Sequence, residues 1–183
     1  WTAHRNLLLD DQQRCFVALL PRKPGHGLAA CAAGAEAVVG LRLKGQGPSG
    51  EPLEAHPPLL RRVKGQSRWG DFAYQPVLAR QGRRTTREHQ LPLALMAVLL
   101  EQEQQGDVPS MLVLGGGGRR LEQERVHLSH GLRRQLSEAL RKLRVDLERP
   151  DPPPLAADRR KCSLCSWRMS CNAVAADEGH LSE

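Results

Sequence analysis

Apolar residues recur along this chain with a period that changes several times, and each change marks an expected element. From Thr2 to Leu20 the apolar groups Leu7, Leu8, Phe16, Leu19 and Leu20 stand among polar neighbours. That is a helical pattern, stopped by Pro21 and the proline- and glycine-bearing run to Gly27. Leu28 to Ala37 is rich in small residues and suits a second, closely packed helix. The period then shortens. Val38-Val39-Gly40-Leu41-Arg42-Leu43 reads as a strand and Gly45 to Gly50 as a turn. Leu53 to Val63 reads as another strand, split or confined to an edge by Pro57 and Pro58. Phe72 to Ala79 is a further strand, entered through the turn-like Trp69-Gly70-Asp71.

From Glu88 to Gln105 the spacing of Leu91, Leu95, Val98 and Leu99 becomes helical. Met111–Leu114 and Arg125–Leu128 flank the run Gly115 to Gly118 and read as two paired strands. That glycine run lacks the Lys-Ser/Thr that would reach phosphate and magnesium, so it reads as a hairpin turn rather than a nucleotide loop. Ser129 is placed to cap a helix ending before Pro150, whose stripe Leu132, Leu136, Leu140, Leu143 and Leu147 is expected to face the core. Its other side carries Arg133, Arg134, Arg141, Lys142 and Arg144, either a solvated face or a phosphate-binding one. Residues 150–155 form a stiff proline-rich spacer. Helices, strands, helix, strand pair and helix in that order predict an α/β fold with a mixed central sheet, closed by a C-terminal cysteine segment.

Charge narrows the partners. The 183 residues carry a formal net charge of +7, which favours a polyanion, nucleic acid above all, while 3% aromatic content argues against base stacking as the binding mode. A chain of this length buries one core. It begins on Trp1 rather than Met and reads as a fragment. No stretch is long and apolar enough to span a membrane.

Three of the five cysteines fall in Cys162-Ser163-Leu164-Cys165-Ser166-Trp167-Arg168-Met169-Ser170-Cys171. An odd, clustered set fits a metal site in a reducing cytoplasm better than a disulfide framework. Thiolates suit zinc or an iron–sulfur cluster, and Lys161 and Arg168 favour the ionised form. With His180 the three would complete a tetrahedral zinc site. Cys15 and Cys31 read as small buried hydrophobes.

The block from His56 to Leu100 and the ending from Cys162 through Leu181 resemble the RecB-like nuclease family of the PD-(D/E)XK superfamily, in its iron–sulfur variant. The resemblance implies a restriction-endonuclease-like mixed sheet flanked by helices over residues 1–149, truncated at its N-terminus, with residues 150–183 as spacer and cysteine cap. It implies a 4Fe–4S cluster on Cys162, Cys165 and Cys171, with Cys15 or a residue upstream of Trp1 as fourth ligand. It also implies DNA as partner, and Mg²⁺ where the nuclease is active.

Against the family pattern the catalytic positions are degenerate. Pro58 stands where the metal-binding Asp belongs, Leu78 replaces the second acid and Arg80 replaces the Lys; only Gln90 keeps its type. Neither Pro58 nor Leu78 offers a metal-binding atom, and an arginine does not accept a proton. Expected, then, is a nuclease-like domain that has lost hydrolysis and kept binding. The alternatives are a working nuclease using the displaced acids Glu54, Asp71 or Glu88, and a zinc-stabilised protein-interaction module. Phosphate contact is assigned to Arg80, Arg83, Arg84 and Arg87, which follow the Phe72–Ala79 strand in a Gly- and Thr-bearing loop. Arg61, Arg62 and Lys64 join them if the two strands pair.

Overall fold

The strand Ala73–Ala79 lies at the middle of a six-stranded sheet and is buried on both faces. The structure is a computed structural model and describes residues 14–20, 22–80, 85–115, 122–150 and 168–177. The chain divides into two units, Thr2–Lys142 and Leu143–Glu183. In the first, a helical turn α1 (residues 14–18) is followed by β1 (Gly25–His26), α2 (Gly27–Ala32), β2 (Ala37–Val39), β3 (Leu43–Gln46) and β4 (Pro52–Ala55). Then come β5 (Leu59–Val63), β6 (Ala73–Ala79), α3 (Arg87–Gln104), β7 (Met111–Gly115), β8 (Glu122–Val126) and α4 (His130–Leu147). The unit boundary falls inside α4. The second unit holds the end of α4 and the helix α5 (Arg168–Asp177).

The main sheet runs β1-β2-β5-β6-β7-β8, and β3 pairs with β4 in a separate two-stranded sheet. β1–β2 and β6–β7 are parallel; the other neighbours are antiparallel. This is the expected α/β class with a mixed sheet and flanking helices. Many folds share that arrangement, and it does not single out a restriction-endonuclease-like one. Pro76 sits inside the central strand, where a missing N–H would break a ladder. The β6–β7 pairing avoids the loss by starting just past it, at Val77↔Leu112.

Alternation along β6 sends Tyr74 and Leu78 to one face and Val77 and Ala79 to the other. The first face packs with Leu93, Ala97 and Leu100 of α3 and with Leu132 and Leu136 of α4. The second packs with Phe16, Leu59, Leu112 and Leu114. Burying such side chains contributes about 1.5–3 kcal/mol each. Gln104, fully buried at the end of α3, ties the helix to the sheet. Its Oε1 accepts from the Tyr74 N–H at 3.0 Å, and its Nε2 donates to the carbonyls of Gly106 (3.1 Å) and Asp107 (3.0 Å). The Tyr74 hydroxyl donates to the Ala35 carbonyl at 2.7 Å, fixing the connection between α2 and β2 against the same face.

Several elements depart from the pattern-based expectations. The run Val38–Leu43 is not one strand, because Gly40 takes φ 67° and turns the chain out of the main sheet. The prolines 57 and 58 do split the next run, and its halves, β4 and β5, join different sheets. Gln102 of α3 holds the β3–β4 hairpin in place. It accepts from the Gln46 N–H at 3.0 Å and donates to the Gln46 carbonyl at 2.8 Å. Gly45 makes that approach possible, since a Cβ there would collide with the Gln102 amide. On α4 only Leu132 and Leu136 are buried; Leu143 and Leu147 are 53% and 76% exposed, so the leucine stripe is core for its first half alone.

Candidate nucleic-acid interface

Because β6 and β7 run parallel, their C-terminal ends lie side by side. Arg80 follows β6 and extends the ladder with its N–H to the Leu114 carbonyl at 2.7 Å. Its side chain is only 2% exposed, and its guanidinium lies against Gly115, where a Cβ would sit 2.7 Å from the guanidinium carbon. Glu124 of β8 faces the guanidinium at 3.4 Å and also accepts a short hydrogen bond from the Thr85 hydroxyl. One carboxylate oxygen thus meets a buried arginine and the residue that leads into α3.

α3 starts at the same end. Thr86 stands at the N-cap in an extended conformation, and the His89 Nδ1 accepts from the Thr86 N–H at 3.1 Å. An accepting Nδ1 leaves the ring proton on Nε2. Arg87 is exposed at the first helical position. The partial positive charge of a helix start disfavours a cation there. Stability alone therefore does not account for Arg87. Glu88 beside it is the residue the dipole favours.

Among the positions singled out from the sequence, Arg80 is held inside, beneath Glu124, and Arg87 is on the surface. Arg83 and Arg84 lie outside the described residues. Gln90 is half-buried in the first turns of α3. Leu78 packs into the core on the α3 side of the sheet, and Pro58 lines a groove with Arg14, Val17 and Val39. Arg61 and Arg62 point to opposite faces: the first lies 5.5 Å over the Phe16 ring, and the second donates to the Gly34 carbonyl at 2.5 Å. The displaced acids do not converge. Glu54 is bound by Arg42 in a two-pronged pair at 2.6 Å and by His56 at 2.7 Å. The Arg42 contact comes first among the causes holding the Glu54 carboxyl down at about 2. Asp71 lies in an exposed turn and Glu88 on the exposed side of α3.

The basic side of α4 is largely self-neutralised. Arg133 grips Glu101 of α3 with both oxygens, at 2.7 and 2.8 Å, Arg141 pairs with Glu138 and Arg144 with Glu148. The first is a bidentate, half-buried clamp; the other two are local pairs on an exposed face worth little each.

No known family model and no curated protein matches the chain. That removes the support for membership of the RecB-like nuclease family, and with it the nuclease-like function, the degenerate active site and the Mg²⁺ inferred from it. The metal assignment is corrected as well. Among the described residues no three His, Cys, Asp or Glu side chains come together to hold a metal ion. Cys15, Cys31 and Cys171 are free thiols, exposed on α1, buried in α2 and half-buried on α5. The 4Fe–4S cluster and the zinc alternative are both withdrawn; Cys162, Cys165 and His180 lie outside the described residues. The described residues also contain no helix long and apolar enough to cross a membrane.

Glu124, Thr85 and Gly115 were not singled out from the sequence. Their contacts join residues about 40 positions apart, and only strand pairing reveals them. A cue to the shared sheet end was present in the chain all the same. The tripeptide Gly-Arg-Arg occurs twice, as Gly82-Arg83-Arg84 after β6 and as Gly118-Arg119-Arg120 after β7.

Proposed function

We propose that the chain binds nucleic acid through the sheet end where β6 and β7 finish and α3 begins. One observation carries the reading. The parallel register Val77↔Leu112, Leu78↔Val113, Ala79↔Leu114 brings the ends of both strands together, and the sequence after each supplies a Gly-Arg-Arg segment. Arg83, Arg84 and Arg87 are assigned the phosphate contacts, together with Arg119 and Arg120 of the second segment. Arg80, buried under Glu124, is a positioning residue that fixes the strand end. Support also comes from the net charge of +7.

Recognition is of the sugar–phosphate backbone. No Phe, Tyr or Trp occurs between Gln75 and Pro150, so the stretch from β6 to the end of α4 supplies no aromatic platform on which bases would stack. Trp69, Phe72 and Tyr74 precede it in the chain and are engaged with one another edge-to-face, at centroid distances of 5.8 and 5.9 Å. Binding of this kind is steep in salt and indifferent to sequence.

The test is fluorescence anisotropy of a labelled DNA duplex titrated at several salt concentrations. The expected result is a linear fall of log affinity with log salt. Replacing Arg83, Arg84 and Arg87 by Ala together should flatten the slope by about 0.9 for each phosphate that is no longer neutralised. Salt-independent binding, or an unchanged slope in the triple variant, would refute the proposal.

A further inference from the structure

At the end of the sheet opposite the candidate interface, the connections leading into β6 and β7 border an open cleft of about 790 Å³. That is room for a small molecule. One wall is Gly65 to Arg68, between β5 and β6; the other is Gln105 to Asp107, between α3 and β7. The walls are fixed to each other. The Arg68 N–H donates to the Gln104 carbonyl at 2.8 Å, and a Cβ on Gly106 would collide with the Gln66 carbonyl, so the two connections touch at that point. The buried Gln104 amide holds the Asp107 carbonyl at 3.0 Å, which leaves the Asp107 side chain on a rigid base.

Gln105 is out of place by the rules of stability. It closes α3 at φ 50° and ψ 44°, and among the described residues it is the only non-glycine with a positive φ. A left-handed residue ending a helix is usually glycine, because a Cβ is penalised there. The side chain recovers none of that cost within the fold. It is exposed and makes no hydrogen bond among the described residues, and the same holds for the side chains of Gln66 and Asp107 across and beside it. Three polar side chains thus stand unengaged around one cleft, one of them kept at the expense of its backbone.

We infer that this cleft binds a free α-amino acid as its zwitterion, a site separate from the nucleic-acid interface and independent of that reading. Arg68 supplies the cation for the carboxylate. One of its N–H groups donates to Glu103, and its guanidinium lies 5.1 Å over the Trp69 ring, which together hold its plane. Its side chain remains 38% exposed, with further N–H donors to give. Asp107 supplies the anion for the ammonium. It stands just past the end of α3, whose last turn has no basic residue and whose partial negative charge adds to the attraction. Gln66 and Gln105, from the two walls, each give and accept hydrogen bonds, as an amide-bearing ligand side chain requires. A plain anion meets Asp107 and a plain cation meets Arg68; a ligand carrying both charges suits both walls.

L-Glutamine is the probe, with N-acetyl-L-glutamine and L-glutaminamide as controls that each lack one of its two charges. L-Glutamine should raise the melting temperature of the protein, and calorimetric titration gives its affinity. Blocking either charge, or replacing Asp107 by Asn, should weaken binding about tenfold, the size of one charge-assisted contact. Gln105→Gly separates binding from folding. It frees the backbone, so the melting temperature without ligand should hold or rise while the affinity for L-glutamine falls. Four results would overturn the inference: no thermal shift with L-glutamine, equal binding of the blocked forms, an unchanged affinity in Gln105→Gly, or a ligand-free Gln105→Gly that melts lower than the unaltered protein. Duplex binding enters none of these measurements, so their failure leaves the nucleic-acid reading where it stands.

Discussion

Replacing Gln104 by Ala should remove a large part of the stability of the fold. The side chain is fully buried and satisfies three backbone groups: the Tyr74 N–H at 3.0 Å, the Gly106 carbonyl at 3.1 Å and the Asp107 carbonyl at 3.0 Å. Each such bond has a net worth of about 1 kcal/mol, and leaving a buried partner unsatisfied costs about 1–3 kcal/mol. Gly106 is only half-buried, so water will reach part of the vacated site. The sum is about 3–5 kcal/mol, with the cavity term included. Urea unfolding followed by circular dichroism reads it as a lower midpoint at unchanged m; with m near 2 kcal/mol/M, the midpoint falls by about 1.5–2.5 M. Gln104→Leu, close in volume and without polar atoms, should lose nearly as much, because the orphaned groups are the same. Gln104→Glu keeps an acceptor for Tyr74 but turns a carboxylate toward two carbonyl oxygens. Its carboxyl is therefore raised above the usual range, and its destabilisation grows as pH rises through that raised value. A Leu variant as stable as the unaltered protein would refute the reasoning, since volume and not the amide would then be what matters.

Two further outcomes follow from the same core. Burial, with a smaller push from Glu103, raises the Cys31 thiol to about 11. Iodoacetamide at pH 8 should leave the Cys31 peptide unmodified in the folded protein while alkylating Cys15, as peptide mass spectrometry will show; rapid labelling of Cys31 would contradict its burial. Desolvation likewise raises the Tyr74 phenol from 10.0 to about 12, with Arg62 opposing. The neutral phenol is the form the fold favours, so this contribution is intact below pH 10 and is lost as pH climbs through about 12. Tyr74→Phe should unfold more readily at pH 7, by about 1 kcal/mol for the lost bond to Ala35, yet show a shallower decline above pH 10; an equal alkaline decline would place the titrating group elsewhere.

The elements legible in the sequence are those whose signals are local. The helical spacing of Leu91, Leu95, Val98 and Leu99 locates α3, and Ser129 starts α4, its hydroxyl accepting from the Leu132 N–H at 3.2 Å. The strands on either side of the glycine run pair as expected, Met111↔Val126 through Gly115↔Glu122. What escaped depends on partners distant in the chain. The exposure of Leu143 and Leu147 follows from where α4 outruns the core, which its periodicity does not encode. The arginines of α4 look like a free basic face until Glu101, 32 positions away, is seen to take Arg133. His89 resembles any surface histidine until its Nδ1 meets the Thr86 N–H. At the candidate interface, Arg80 and Arg87 could be picked out by type and position, but their division into a buried and an exposed arginine could not. That division is decided by Gly115 on β7 and Glu124 on β8, strands that join the sheet on that side of β6 only after folding.

The Gln102 amide against Gln46 has a consequence for how copies of this protein behave at high concentration. A two-stranded hairpin standing apart from the main sheet is open to another chain adding itself alongside. Here a primary amide from α3 imitates a neighbouring backbone, giving to the Gln46 carbonyl and taking from its N–H, and so occupies the seat at which an incoming strand would begin to zip. Stacking along this margin must first evict the amide.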